Sequence, residues 1–354
     1  MTIEKRTLFW GAGCVFLVFL LHILSSILLP FVSGILIAYF LDPVTDRLEE
    51  RGVPRSIATG AILLAFFLFG FGVLTLFFPM LQKQITGLAL MLPGMVDALR
   101  FYLEPFAREF LAGLSPDALG EIKSHFGQFA GRVAKWTAGL LAGLWSGGLA
   151  VFNVLSMLIV MPVVAFYLLR DWDLITYKVD SWLPRRARAT IHHQLREIDL
   201  TLASFVRGQA LVCLVLIFIY TTGLSIVGLK SGLLVGLGAG LISFVPYLGA
   251  AIGLLLGVGI ALFQFSEWEP VLIVTGIFVF GQMLESYVLT PKFVGDKVGL
   301  HPLWIIFALM AGGVLLGFTG VLIAVPVAAV IGVLTRFSID RYLKSPLYQE
   351  GEKK

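Results

Sequence analysis

Residues 231–262 form an apolar run whose length suits neither one membrane crossing nor two. A helix rises about 1.5 Å per residue and the hydrocarbon core of a bilayer is about 30 Å thick, so one crossing takes about 20 residues. The run is interrupted between Phe244 and Gly249, around Pro246 and Tyr247. Each arm is therefore too short to cross, and the pattern predicts a re-entrant hairpin that leaves the membrane on the side from which it came.

A second apolar run, residues 303–335, is also overlong and carries four glycines in its middle. These glycines are Gly312, Gly313, Gly317 and Gly320. A broken backbone at membrane depth is tolerated where protein buries it or where it lines a wet cavity, and paired breaks are typical of transport sites. We therefore predict a second re-entrant hairpin, and a transport route where the two hairpins meet near the midplane of the membrane.

The composition places the chain among polytopic membrane proteins. Hydrophobic residues make up 58% of the sequence and charged residues 14%, and the mean hydropathy is +0.94. The net charge of +4 comes from basic residues in short segments beside apolar spans, a distribution that excludes nucleic acid as a partner. Both cysteines, Cys14 and Cys213, fall in apolar segments and predict packed thiols, with no disulfide framework or metal pair.

Five further apolar spans have the length of a single crossing. They are residues 8–29, 57–78, 148–169, 207–228 and 271–290. The first is too long for a signal peptide, so we expect an uncleaved helix. Basic residues flank this region on both sides, with Lys5 and Arg6 before it and Arg47 after it, and the positive-inside rule places them on the same side of the membrane. Residues 8–41 are therefore predicted to be a helical hairpin that turns at Pro30 and has a short second arm.

The positive charges of the loops predict the topology. If both overlong runs are re-entrant, every short basic loop faces the cytoplasm, and so do both termini. Under that arrangement residues 207–262 and 271–335 are the same unit in opposite orientation, a crossing helix followed by a re-entrant hairpin. The sequence therefore predicts an all-α polytopic membrane protein with an inverted repeat.

Two stretches between the spans have amphipathic patterns. Residues 80–147 predict two helices outside the membrane, and three arrangements are open for them: a hairpin, a position on the outer leaflet, or a contact with a neighbouring subunit. Apolar residues from Ile191 to Phe205, beside several arginines, predict a helix on the anionic cytoplasmic leaflet. The predicted regions are 1–79, 80–147, 148–206, the transport core 207–335 and the cytoplasmic tail 336–354.

Glu285 is the one acidic residue well inside an apolar span, and Gln282 lies one turn before it on the same face. A carboxylate at that depth costs about 2.5 to 3.5 kcal/mol on the insertion scale. An ion or proton site is one interpretation, and a side chain that reaches to the interface is the other. Arg207 and Gln209, which open their span, are candidates for the solute path or for interface anchors.

The sequence contains no motif of a metalloprotease, a serine hydrolase, a P-loop NTPase or a dinucleotide-binding enzyme. We therefore expect no catalytic residue, no cofactor and no metal site. Because a nucleotide-binding motif is missing, transport driven by ATP within this chain is excluded. Uphill movement of a solute would need an ion gradient.

The chain resembles the AI-2E family of transporters, also called the autoinducer-2 exporter or PerM permease family. The resemblance lies in Phe244 to Ala250, in Gln282, Glu285, Tyr287, Pro291, Gly295, Gly299, His301 and Pro302, in Gly312 to Gly320, and in Ala324 to Pro326. The stretches Arg207-Gly208-Gln209 and Ala38 to Pro43 fit as well. It covers nearly the whole chain and is weakest over residues 80–147.

The resemblance implies a secondary transporter or permease of the bacterial inner membrane, embedded in lipid as a homo-oligomer, with a pentamer as one option. It leaves two substrates open, namely a small polar solute such as autoinducer-2 and a monovalent cation exchanged for protons. Ser243, Tyr247, Gln282, Tyr287 and Thr290 could bind a polyol, whereas Glu285 and free carbonyls suit an ion. Pro291, Gly295, His301, Pro302 and Pro326 are expected to have gating or structural roles. A scaffold that transports nothing is the third hypothesis.

Overall fold

The computed structural model describes Gly13 and residues 20–110, 148–295 and 299–349 of the 354-residue chain. Two predictions therefore fall outside the described residues. They are the part before residue 20 of the helix predicted over residues 8–29 and the second amphipathic helix of the 80–147 region. Within the described residues the chain is helical and contains no strand. The helices are α1 Ser25–Glu49, α2 Arg55–Phe110, α3 Gly148–Ser181, α4 Arg188–Ile226, α5 Gly232–Ile242, α6 Leu248–Gln264, α7 Trp268–Leu284, a π-helical segment Glu285–Val294, α8 Pro302–Leu343 and α9 Pro346–Gln349.

Five helical stretches are long and apolar enough to cross a membrane. By length and composition they are Ile27–Glu49, Arg55–Val73, Arg188–Ile226, Trp268–Val294 and Pro302–Leu343, the last of which is interrupted at Gly317. Helices α5 and α6 are equally apolar but have only 11 and 17 residues. These lengths confirm an all-helical protein with several candidate spans, and they place two short helices in the run whose length suited no crossing.

The predicted turn at Pro30 is wrong. Helix α1 runs without interruption from Ser25 to Glu49 through both Pro30 and Pro43, and it begins after one residue of turn at Leu24. Pro30 deprives the helix of one hydrogen bond, but apolar helices in membranes tolerate proline because neighbouring groups satisfy the freed carbonyl. The segment after Pro30 is therefore part of a full-length apolar helix and not a short arm.

Two predicted element boundaries are also wrong. Helix α2 has 56 residues and passes through residue 79 into the region predicted to be separate. Helix α4 has 39 residues, so the basic segment near Ile191 continues directly into the apolar span and is not a separate surface helix. In both cases the polar pattern changes along a helix that does not stop, and Pro79, at the first of these boundaries, does not end helix α2.

The chain divides into two compact units. The first contains Met1–Leu68, Ser156–Val212 and Glu285–Lys354. Its core is an apolar cluster of buried side chains from α1, α2 and α3. The cluster comprises Ala38, Leu41, Leu63, Ala165 and Leu169. Helices α1 and α3 touch where Gly34 faces Val164, since a Cβ atom at Gly34 would lie 2.8 Å from the Cβ of Val164.

The second unit contains Phe69–Leu155 and Cys213–Leu284. Its core is the aromatic pair Tyr220 and Phe278, whose ring centroids are 4.8 Å apart and which are almost completely buried. Glycines bring the surrounding helices together, because Gly281 faces the Tyr220 ring and Gly253 faces the Phe278 ring. The fold of this unit therefore depends on small residues opposite two large rings.

Candidate functional site

The first backbone break lies between α5 and α6, where the sequence predicted it. The hydroxyl of Ser243 donates to the carbonyl of Ala239 at 2.9 Å as α5 ends. Tyr247 then adopts a left-handed conformation, with φ 68° and ψ −26°, and α6 begins at the next residue. Gly249 packs directly against the Ala239 carbonyl and the Ser243 side chain, leaving no room for a Cβ atom. Helices α5 and α6 therefore form a tightly turned helical hairpin.

Gln264 joins the two ends of this hairpin, which we call the first hairpin. The Gln264 side chain accepts a hydrogen bond from the N–H of Lys230 at 2.8 Å and donates to the carbonyl of Gly228 at 2.7 Å. Lys230 precedes α5 and Gln264 ends α6. The chain thus leaves the hairpin close to the point at which it entered.

The glycines of the first hairpin pack mainly on the crossing helices. Gly236 and Gly240 lie against the backbone of Thr221 and Ile217 in α4, at distances that would bring a Cβ atom to 2.5 to 2.6 Å from their amide nitrogens. These two glycines therefore let α5 pack closely on the adjacent helix α4.

The second backbone break lies inside α8. Gly317 has φ 60° and ψ −139°, outside the helical region, and the chain reverses there. Gly312 and Gly320 touch across the reversal, and no Cβ atom would fit at either position. Residues 302–343 therefore form a second hairpin. Its two ends are joined by a hydrogen bond that Arg336 donates to the carbonyl of Gly299 at 3.3 Å.

Glu285 is buried, with 4% of the residue exposed, and it begins the π-helical segment. Among the residues that the structure describes, no hydrogen-bond or ion-pair partner of its carboxylate is found. Gln282, one turn earlier, is half-buried, whereas Tyr287 is 78% exposed. The π-helix ends at Gly295, which has φ 69°. Pi-helical turns inside α-helices are frequent at functional sites.

The Arg207-Gly208-Gln209 stretch packs against this π-helical segment. Gly208 faces the carbonyl of Phe293 so closely that a Cβ atom would collide with it. Gln209 is 2% exposed. The guanidinium of Arg207 donates to the carbonyl of Tyr39 at 3.1 Å and lies 3.5 Å from the carboxylate of Asp42. Arg207 therefore contacts helix α1 with a side chain that is still 38% exposed, a contact that the sequence did not predict.

Sequence reasoning also missed an ion-pair network around Arg55. Its guanidinium donates to the Leu169 carbonyl at 2.8 Å and contacts four carboxylates, those of Asp42, Asp46, Glu49 and Asp173. The Arg55 side chain is only 15% exposed. The sequence predicts only the side of the membrane for such charges, because contacts between residues more than 100 positions apart leave no local pattern.

The remaining predicted residues have structural positions. His301 caps α8, since its Nδ1 accepts from the N–H of Leu303 at 3.3 Å, and Pro302 is the first helical residue. Pro291 lies in the π-helical segment and Pro326 inside α8. Of the candidate path residues, Pro246, Tyr247, Gly249 and Gln282 belong to the second unit. The first unit holds Arg207, Gln209, Glu285, Tyr287 and the glycines of the second hairpin.

Comparison with known proteins decides the family. The family model described as AI-2E family transporter matches residues 12–339, which is most of the chain. The chain belongs to the AI-2E family of transporters. It is 29% identical over 316 residues to a Bacillus subtilis (strain 168) protein with the provisional name transport protein YrrI, covering 88% of this chain and 86% of the relative. It is 30% identical over 315 residues to an Escherichia coli (strain K12) protein with the provisional name permease PerM, covering 87% and 86%.

Membership in the AI-2E family makes this chain a multi-pass membrane protein of a transporter family, not an enzyme. The long apolar helices agree with that assignment. Lipid and a transported solute follow as its partners.

Proposed function

We propose that this AI-2E family member is a secondary permease that moves a small polar solute, with Glu285 as the residue that binds the solute or a coupling ion. The observation that carries the proposal is that Glu285, an acidic residue only 4% exposed, lies inside an apolar span and has no ion pair among the residues that the structure describes. A buried charge is costly unless something offsets it, and a passing cation, proton or hydroxyl-bearing solute would do so.

The two hairpins support the same proposal. In each hairpin the backbone leaves the helical conformation inside an apolar run, at Tyr247 in the first and at Gly317 in the second. A side-chain hydrogen bond joins the two ends of each hairpin. Such breaks expose main-chain groups that transporters use to bind substrates. We propose that both hairpins are re-entrant and that both chain termini face the cytoplasm.

The solute is proposed to be a small polar compound such as autoinducer-2, with sodium–proton exchange as the second candidate. The second candidate is favoured by Glu285 itself, because a lone carboxylate suits a monovalent cation better than a polyol, which needs several hydroxyl or amide partners. In the first unit, which holds Glu285, the buried uncharged polar residues among those that the structure describes are Gln209 and four threonines, namely Thr45, Thr59, Thr201 and Thr319.

Flux through purified protein in proteoliposomes tests the proposal. We would measure efflux of labelled autoinducer-2, and separately the change of internal pH driven by a sodium gradient, for wild type, Glu285→Gln and Glu267→Gln. Loss of a charge-assisted contact should lower the active flux by about tenfold or more in Glu285→Gln. Glu267 is exposed and serves as the matched control.

The outcomes separate the candidates. Autoinducer-2 flux that depends on Glu285 supports solute export, and a sodium-dependent pH change that depends on Glu285 supports antiport. Equal flux in Glu285→Gln and wild type would remove this residue from the mechanism. If neither autoinducer-2 efflux nor a sodium-driven pH change is observed with the wild type, both transport candidates are rejected and a scaffold is favoured.

A further inference from the structure

A cavity of about 60 Å³ opens among helices α1, α3 and α4 of the first unit. By its volume it holds a few water molecules or a small ligand. Its polar wall consists of Tyr39, Asp42, Trp172, Asp199 and Arg207, and aliphatic side chains such as Leu168 form the rest. A small concave site with few polar groups on an apolar wall is the usual form of a ligand pocket.

The charges around the cavity leave one carboxylate uncompensated. Asp42 lies 3.5 Å from Arg207 and 3.5 Å from Arg55, so two cations share its charge. Asp199 accepts a hydrogen bond from the Tyr39 hydroxyl at 3.2 Å. No ion pair of Asp199 within 4 Å occurs among the residues that the structure describes. Asp199 is exposed to solvent and puts a negative charge on the lining of the cavity, which favours a cation there.

Two aromatic rings line the same cavity as this carboxylate. Tyr39 and Trp172 pack edge to face, with ring centroids 6.1 Å apart. The cation–π contacts found in the described part of the chain involve other rings, those of Phe166, Tyr167, Phe293 and Phe337. Both rings line the cavity, and the faces of aromatic rings attract a positively charged ligand.

We propose that this cavity binds a short primary alkylammonium ion. The ammonium group would donate to Asp199 beside the aromatic rings, and the hydrocarbon chain would contact the aliphatic wall. A polyol would bury hydroxyl groups against that wall without partners, which is unfavourable. A bare metal ion lacks ligands, because the described residues include no group of three metal-binding side chains. The proposal concerns binding at this cavity and does not depend on transport through Glu285.

Binding to the purified full-length protein in detergent tests the proposal. Isothermal titration calorimetry and the unfolding midpoint would be recorded with n-butylammonium chloride, with 1-butanol and with sodium chloride at equal concentration. We expect butylammonium to bind and to raise the midpoint by mass action, whereas butanol and sodium should have no comparable effect. Equal effects of butanol would mean that the cavity is only an apolar crevice, and absence of butylammonium binding would overturn the proposal.

Variants locate the binding site. Asp199→Asn keeps an acceptor for the Tyr39 hydroxyl but removes the charge, and we expect it to weaken butylammonium binding by about tenfold or more. Asp340→Asn is the matched control, because Asp340 is exposed and pairs only with Lys344 at the end of α8. The unfolding midpoints of both variants without ligand report on folding. Unchanged affinity in Asp199→Asn, with the control also unchanged, would place the ligand elsewhere and contradict the proposal.

Discussion

At the scale of single residues, glycines mark the points where two backbones touch. Gly208 faces the carbonyl of Phe293, and this contact sets how closely α4 approaches the π-helical segment that begins with Glu285. Gly276 in α7 is also helical, but a Cβ atom added there would have no heavy atom within 4 Å. The two positions therefore separate the effect of a collision from that of helix propensity.

Gly208→Ala should destabilise the protein by about 1 to 3 kcal/mol, because the added methyl group forces the helices apart. Gly276→Ala should be neutral or stabilising by up to about 1 kcal/mol, because alanine favours a helix. Thermal unfolding in detergent compares the two variants with wild type. Equal midpoints for Gly208→Ala and Gly276→Ala would show that the contact with Phe293 does not constrain the fold.

Tyr247 carries strain that a glycine would relieve. It is the one non-glycine residue with positive φ among the described residues, and its side chain is 44% exposed. Tyr247→Gly should raise the stability by about 1 kcal/mol, whereas Tyr247→Phe should leave it unchanged. If the phenol takes part in binding the solute, both variants should lose flux in proteoliposomes. A stable Tyr247→Gly variant with full flux would assign Tyr247 no functional role.

Arg55 forms ion pairs with four carboxylates. Arg55→Gln would leave Asp42, Asp46, Glu49 and Asp173 without their shared cation, and we expect a loss of about 1.5 to 3 kcal/mol. Arg51→Gln is the control, since Arg51 is exposed and has no ion pair in the described part of the chain. The unfolding midpoint, measured at low and high salt, should fall for Arg55→Gln only. A similar small change in both variants would mean that the network adds no stability.

At the scale of elements, the reversal inside α8 depends on Gly317. Its φ of 60° and ψ of −139° lie in a region that is essentially restricted to glycine. Gly317→Ala should therefore destabilise the second hairpin by about 1 to 3 kcal/mol, although nothing lies within 4 Å of the added atom. Gly238→Ala in α5, equally free of neighbours but helical, should be neutral. Unfolding midpoints test the pair, and a neutral Gly317→Ala would contradict the hairpin geometry.

The positions of the breaks could be predicted from the sequence, since run length and the positions of proline and glycine are local signals. Pro246 and Gly317 both lie where the chain leaves the helical conformation. Local signals failed at Pro30, because a single proline costs one hydrogen bond and apolar surroundings maintain the helix. They could not show Arg55 with Asp173 or Tyr39 with Asp199, which are 118 and 160 positions apart. The π-helical segment was also missed, although Pro291 inside it could have suggested an irregular helix.

At the scale of the whole molecule, the proposed topology depends on the first hairpin returning to its own side of the membrane. Gln264 bonds to Lys230 and to Gly228, so the chain enters and leaves the hairpin at neighbouring points. Arms of 11 and 17 residues are also short for two separate crossings, since each would span at most about 16 to 26 Å. The basic loops of an inverted repeat obey the positive-inside rule only with this topology.

Cysteine labelling with a membrane-impermeant maleimide tests this topology most directly. Lys230→Cys and Glu267→Cys, both at exposed positions that flank the hairpin, would be made separately in a chain whose Cys14 and Cys213 are replaced by serine. If the hairpin is re-entrant, both cysteines should be labelled in right-side-out vesicles, and both should be protected in inverted vesicles. Labelling of the two positions from opposite sides would show that residues 231–262 cross the membrane, and it would contradict the re-entrant topology.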